Sequence, residues 1–314
     1  MGGAGCPNSR IGIVNHSRFA ISWSLLLTVM IAASLQAAPH DKAYWAAIVA
    51  ARYAVPPDES PFALARELSG LLGSPDPELR DEIAFRILNV WLSGGAQFTD
   101  AELVALLEEW QSNLRVGKEP VGSDAVLKRS FSALCLSVLV GRDLKTPFLE
   151  PQRYRALLES VLGYLASERD LRGFDARKGW IHATAHTADL LAALSRHRLL
   201  TPADQKKVLA GIALRLSSAG EVFTQGEQDR LAQAVTALFL RTDFDAAVFD
   251  AWLADFRAAT RQAARTVPRT PATLAHYQNN TYFLQALYAR LSMETMEGAA
   301  AKSRVAVLDA LRPR

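Results

Sequence analysis

The sequence predicts an all-α protein, built as an array of about twelve helices in antiparallel hairpins. Three observations support this fold class. Apolar residues recur at the three- and four-residue spacing of amphipathic helices through most of the chain. Capping residues and prolines precede these segments, and glycines follow them. No stretch alternates apolar and polar side chains for more than a few residues, as a half-buried strand would.

Helix starts are recognisable along the chain. Thr99, with Glu102 three residues later, predicts a capping box. Pro202 directly after Thr201 predicts a helix with proline at its first position. Residues 224–227 (Thr-Gln-Gly-Glu) predict a further capping box.

Two arrangements fit such a series of helices. One is a HEAT-like α-solenoid, a stack of helical hairpins with a period near 40 residues. The alternative is a closed α/α toroid, a ring of helical hairpins with a central site. The sequence leaves the two open. No linker divides residues 38–314, so we expect them to form a single all-helical domain.

The N-terminal segment, residues 1–37, reads as a signal peptide. Arg10 and Arg18 precede an apolar stretch over residues 19–35, and small residues follow it. We expect cleavage after Ala37 and a periplasmic or secreted protein. The alternative is an uncleaved segment that anchors the chain in the membrane, and only then would a membrane be a partner.

Charge and cysteine content exclude several classes of protein. The chain has 35 basic and 32 acidic residues, and two of the basic residues belong to the signal segment, so we expect no nucleic-acid partner. Cys135 is the second of two cysteines and lies in an apolar helical run, which predicts a buried, inert thiol. No phosphate-binding loop and no Gly-x-Ser-x-Gly motif occurs.

The most informative stretch contains two histidines and an aspartate. At helical spacing His182, His186 and Asp189 fall within about 60° of one another, whereas Trp180 lies on the opposite side. Such a polar face on an apolar helix can bind a metal, act as an acid–base pair, or serve only the structure. Zinc is possible, with His182 and His186 as ligands. We expect no cofactor, because Ala183 replaces the glutamate of the familiar zinc-hydrolase helix.

This stretch, Gly-Trp-x-His-x-x-x-His-x-x-Asp-Leu-Leu, resembles the signature of the bacterial family known as domain of unknown function 2785. Three other segments match the family in order: Glu78–Glu82, Arg129–Leu134 and Phe223–Ala232. Gln228 departs from the pattern, because an acidic residue is common at its position. The resemblance covers most of the chain after the signal segment. It implies an all-helical fold and a site at the histidines, and it brings no established activity.

Two further polar clusters are candidates for the same cleft. Glu227, Asp229 and Arg230 open a helix, where acidic side chains favour the positive end of the helix dipole. The family resemblance implies that they also contribute to the histidine site. Arg80 and Asp81 open another helix, for which a solvated or salt-bridged face is the default interpretation.

Two functions from different classes fit these observations. The first is an exported binding or interaction scaffold, with a polar cleft lined by His182, His186 and Asp189 and an unknown protein or small molecule as ligand. The second is a hydrolase-like enzyme that uses the same residues for acid–base or metal-assisted catalysis. The scaffold is favoured slightly, because no known catalytic motif accompanies the histidines.

The signal peptide leads to the first prediction. Because small residues follow the apolar stretch, the exported protein should begin near Ala38. Mass spectrometry of the protein recovered from the periplasm or medium measures this N-terminus. An intact chain that begins at Met1 and stays in the membrane would contradict cleavage.

Overall fold

The structure is a computed structural model, and it describes residues 1–2, 40–115 and 121–312. The predicted signal peptide lies almost entirely outside the described residues, so its cleavage stays a prediction. From Pro39 to Arg314 the chain forms one compact unit. Within the described residues, no helix is both long enough and apolar enough to cross a membrane.

The all-α prediction is confirmed. The described residues form these twelve α-helices: α1 Lys42–Ala50, α2 Pro61–Leu71, α3 Arg86–Val90, α4 Asp100–Asn113, α5 Ala125–Asp143, α6 Pro151–Ser167, α7 Ala183–Ser195, α8 Pro202–Ser218, α9 Glu227–Phe239, α10 Ala246–Arg265, α11 Pro271–Met293 and α12 Gly298–Leu311. Two π-helices flank α3, namely π1 Glu78–Phe85 and π2 Trp91–Gly95. Two short antiparallel strands, β1 Phe174–Asp175 and β2 Gly179–Trp180, form a hairpin before α7.

Most of the predicted helix starts are found. Thr99 and Glu102 form the expected capping box, in which each side chain accepts the backbone N–H of the other residue. Thr201 caps α8 with Pro202 at its first position. The predicted box at residues 224–227 is wrong, because α9 is capped by Gly226 in a left-handed conformation with φ 85°. The glycine reaches this conformation without strain, and it leaves the carboxylate of Glu227 free for other contacts.

The helices from α4 onward pack in two rows. In one row α5, α7, α9 and α11 contact one another in that order, and in the other row α4, α6, α8 and α10 do so. α7 lies between α5 and α9, and every one of its residues except Asp189 is buried. Alanines make up much of its surface, which lets both neighbours approach closely. The polar side chains of α7 therefore need partners inside the protein.

Cys135 lies on α5 within the hydrophobic core and is fully buried. Burial raises the pKa of its thiol far above the ordinary range, because the thiolate would lose its hydration. The prediction of a buried thiol is therefore confirmed by the fold.

We expect Cys135 to resist thiol reagents in the folded protein. The measurement is the rate of modification of the Cys6→Ser variant, which leaves Cys135 as the only thiol. Modification should be slow in buffer and complete in denaturant, since reaction requires the thiolate and access to it. Rapid labelling of the native protein would contradict this burial.

Candidate functional site

The guanidinium of Arg80 joins π1 to the hairpin. Its Nη1 donates to the carbonyl of Ser74 at 2.9 Å, and its Nη2 donates to the carbonyls of Lys178 at 2.5 Å and Trp180 at 3.1 Å. The side chain is fully buried, and its Nε lies 2.7 Å from Oδ1 of Asp81. Of the two expected alternatives, a solvated or a salt-bridged face, Arg80 has the second, because it is buried and paired with Asp81.

The hairpin can approach Arg80 only because Gly179 has no side chain. Its φ is +69°, and a Cβ atom there would lie 2.9 Å from Cβ of Pro77 and 3.4 Å from Nη2 of Arg80. The next residue, Trp180, is 40% exposed and stands edge-on to Phe174 with ring centroids 5.0 Å apart. Trp180 is therefore a surface side chain of the hairpin.

His182 lies just before α7 and not within it. It is the N-cap, with φ 50° in the left-handed region, and its ring stacks on Trp180 at 4.7 Å. Its Nε2 lies 3.0 Å from the carbonyl oxygen of Gln225 and 3.6 Å from Oε1 of Glu227. Because a carbonyl only accepts hydrogen bonds, Nε2 of His182 carries the proton. Burial lowers the pKa of His182, and the charge of Glu227 opposes this shift.

His186 lies in the first turn of α7, with its ring centroid 5.6 Å from that of His182. The Ser130 hydroxyl donates to the carbonyl of Ile181, so it can only accept from Nδ1 of His186, 2.8 Å away. The neutral ring therefore carries its proton on Nδ1, and its Nε2 has a lone pair with no partner among the described residues. Burial lowers the pKa of His186 well below its ordinary value, and the charges of His182 and Arg230 lower it further.

The remaining acidic candidates separate into different environments. Asp189 pairs with Arg230, with Oδ2 and Nη1 2.5 Å apart, and burial raises its pKa while Arg230 opposes the rise. Glu227 is buried and accepts the backbone N–H of Gln225 at 2.8 Å. Asp229 pairs instead with Arg290 on the surface. Asp229 is therefore not part of the histidine site.

A cavity of about 390 Å³ opens beside His186. We call it the histidine cavity, and these residues line it: Asp81, Glu82, Phe85, Arg86, Asn89, Phe131, Leu134, Trp180 and His186. Burial raises the pKa of Asp81 to about 6, although Arg80 acts in the opposite direction. Three of the lining residues belong to π1, and π-helical turns occur frequently at functional sites.

The structure thus divides the predicted site residues into two groups. Asp81, Trp180 and His186 line the histidine cavity. Arg80 does not line it, but its guanidinium donates to the backbone carbonyl of Trp180. The other group surrounds His182 and consists of Glu227, Asp189 and Arg230.

Sequence reasoning gave no role to Ser130, Phe85 or Asn89. Only Ser130 left a signal, as part of the family segment Arg129–Leu134. The other two are ordinary helical residues in sequence, and only packing brings them to His186.

Each histidine has one ring nitrogen in a hydrogen bond, Nε2 of His182 with a carbonyl and Nδ1 of His186 with a hydroxyl, so only the other ring nitrogen of each could bind a metal. Over the described part of the chain, no group of three His, Cys, Asp or Glu side chains could hold a metal ion.

The raised pKa of Asp81 predicts a specific pH dependence of stability. A carboxyl with a higher pKa in the folded state contributes stability that is present below about pH 4 and is lost as pH rises through 6. The free energy of unfolding of the wild type, relative to that of Asp81→Asn, should therefore fall by about 2 kcal/mol between pH 4 and pH 7. Denaturant unfolding at several pH values measures it, with Asp255→Asn on the exposed side of α10 as control. A constant difference would contradict the shift.

Comparison with known proteins adds a family and no activity. A family model described as "Protein of unknown function (DUF2785)" matches residues 114–289, more than half of the chain. The match includes both histidines and Glu227, whereas Arg80 and Asp81 lie before it. No curated protein and no solved structure matches the chain significantly. On the family match, the chain belongs to the family of proteins of unknown function DUF2785.

Proposed function

We propose that this protein binds a small polar molecule in the histidine cavity. The observation that carries the proposal is His186, which lines the cavity and whose Nε2 lone pair has no partner among the described residues. A polar side chain on the wall of a cavity is satisfied by water or by a ligand. The volume of about 390 Å³ lies within the range of about 300 to 1,000 Å³ that is common for ligand sites.

The lining indicates what the ligand carries. The lone pair of His186 and the carboxylate of Asp81 both accept hydrogen bonds, which favours a ligand with hydroxyl or amine donors. The rings of Phe131 and Trp180 supply apolar faces on which a flat or cyclic body can pack. Asn89 can both donate and accept, and its amide has no hydrogen-bond partner in the described part of the chain. A cyclic molecule with several hydroxyl or amine groups fits these walls.

For the architecture we propose an open, HEAT-like solenoid. The two rows of helices support it, because stacked hairpins place alternate helices in separate layers. Within the described residues, α1 and α2 share no extensive contact with α10–α12, as closure into a toroid would require.

We also retain the export proposal from the signal sequence, so the ligand would be met in the periplasm or outside the cell.

Acid–base catalysis is the second candidate, and one observation favours it. Asp81 and His186 line the same cavity, one with its pKa raised to about 6 and the other with its pKa lowered. Titratable groups that are perturbed in opposite senses often mark an acid and a base. In a hydrolase-like reaction His186 would accept a proton at Nε2, and Ser130 would hold its ring in place. Zinc is not needed for this chemistry.

The binding proposal predicts selective loss of ligand stabilisation in a His186 variant. In a thermal-shift screen of sugars, amino sugars and cyclic amines, a true ligand should raise the melting temperature of the wild type. The same compound should have no effect on His186→Gln, because the free lone pair of Nε2 is lost. A concentration of 100 times the Kd corresponds to about 2.7 kcal/mol of stabilisation. His276→Gln, a half-buried histidine on α11 outside the cavity, is the matched control.

Other outcomes of this experiment separate the hypotheses. Equal responses of both variants would place the ligand elsewhere and contradict the proposal. A loss of about 1–3 kcal/mol in the stability of His186→Gln, with no ligand found, would indicate a structural histidine. Conversion of the ligand to a product by the wild type, lost in His186→Gln, would establish the enzyme. Metal analysis of protein purified without chelator should find no stoichiometric zinc, and a full equivalent would restore the metal hypothesis.

A further inference from the structure

A second cavity lies between the last three helices, α10, α11 and α12, which all contact one another. Its volume is about 280 Å³. Arg261 and Arg265 reach it from α10, and Arg312 reaches it from the end of α12. We call this cavity the arginine pocket. The proposed function uses none of these residues.

The arginine pocket is strongly cationic. Arg261 and Arg265 are one helical turn apart, so their guanidinium groups share a face of α10. Neither guanidinium group forms an ion pair or a hydrogen bond with a described residue. Arg312 has one exposed partner, Asp309, at 2.9 Å, and no acidic side chain lines the pocket among the described residues. The three guanidinium groups therefore line the pocket without a carboxylate in its lining to compensate their charge.

One atom makes the need for an acceptor specific. Nη2 of Arg261 is buried and has no hydrogen-bond partner in the described part of the chain. A buried charged donor without an acceptor is unfavourable, because it has lost its hydration and gained nothing in return. An oxyanion supplies two acceptor oxygens in the geometry of the guanidinium fork.

The other walls define the rest of the ligand. The hydroxyl group of Tyr277 can donate to a further oxygen of an anion, whereas that of Thr281 already donates to the carbonyl of Tyr277. Leu284 and Leu311 provide apolar surface beside the charged groups. The volume is slightly below the range of about 300 Å³ and more that drug-sized ligands occupy. The pocket therefore suits a small molecule with one anionic end and a short apolar part.

We propose that the arginine pocket binds a small organic oxyanion, a carboxylate or phosphate joined to a short apolar group. The two guanidinium groups of Arg261 and Arg265 hold the oxyanion, and the leucines cover the apolar group. This site is independent of the histidine cavity, and either proposal can fail without the other.

Calorimetric titration of the full chain tests the proposal with three probes: octanoate, inorganic phosphate and 1-octanol. Octanoate should bind most tightly, phosphate more weakly because it lacks the apolar group, and octanol least because it lacks the charge. Arg265→Gln, an exposed change that spares the core, should raise the Kd of octanoate about tenfold. Arg155→Gln removes the same charge from the exposed side of α6 and should leave the Kd unchanged.

Several results would overturn the proposal. One is the absence of saturable octanoate binding up to about 10 mM, a concentration about tenfold above a millimolar Kd. The others are binding of octanol as tight as that of octanoate, and a loss of octanoate affinity in the Arg155→Gln control equal to that in Arg265→Gln. Sedimentation with phosphatidylglycerol and phosphatidylcholine vesicles distinguishes the source of the oxyanion. Binding to the anionic vesicles that is lost in Arg265→Gln would identify a membrane lipid as that source. Vesicle binding without octanoate binding would instead reject a small-molecule pocket.

Discussion

The requirement that the rest of the site depends on is the solvation of one buried cation. The guanidinium of Arg80 is inaccessible to water, so its hydration has to be replaced by protein oxygens. Carbonyls of Ser74, Lys178 and Trp180 supply most of that replacement, and Asp81 supplies the countercharge. Two of these carbonyls belong to the hairpin, about 100 residues further along the chain. Arg80 therefore holds the hairpin against π1, because its buried guanidinium would be strongly destabilising without the hairpin carbonyls.

The position of the hairpin in turn determines the tautomer of His186. The chain leaves β2 at Trp180, places the carbonyl of Ile181 on the Ser130 hydroxyl, and enters α7 through His182. Because that hydroxyl donates its hydrogen bond to the carbonyl of Ile181, it can only accept one from His186. The free lone pair on Nε2 of His186 therefore depends on the backbone carbonyl of Ile181, which is two hydrogen bonds away through Ser130.

Sequence reasoning succeeded where local physics decides the outcome. The capping box at Thr99, the internal position of α7 and the buried thiol of Cys135 all follow from residues close together in sequence. It failed where distant contacts decide. His182 has the spacing of a helical residue, but a left-handed N-cap lets it stack on Trp180 and reach Gln225 across the fold. The prediction that His182 and His186 share one helical face assumed a regular backbone through both, and the helix begins one residue too late for that.

The histidine cavity therefore combines a neutral base with a carboxyl that titrates near pH 6, and this combination constrains how any ligand can bind. A cationic ligand favours ionised Asp81 and releases a proton as it binds, so its affinity must rise with pH around 6. A ligand that offers only acceptors favours protonated Asp81, and its affinity must fall over the same range. A ligand bound through neutral hydroxyl donors to His186 shows neither trend until the imidazole itself titrates. The pH dependence of affinity thus identifies which of the two groups the ligand contacts, because burial shifts the pKa of Asp81 upward and that of His186 downward.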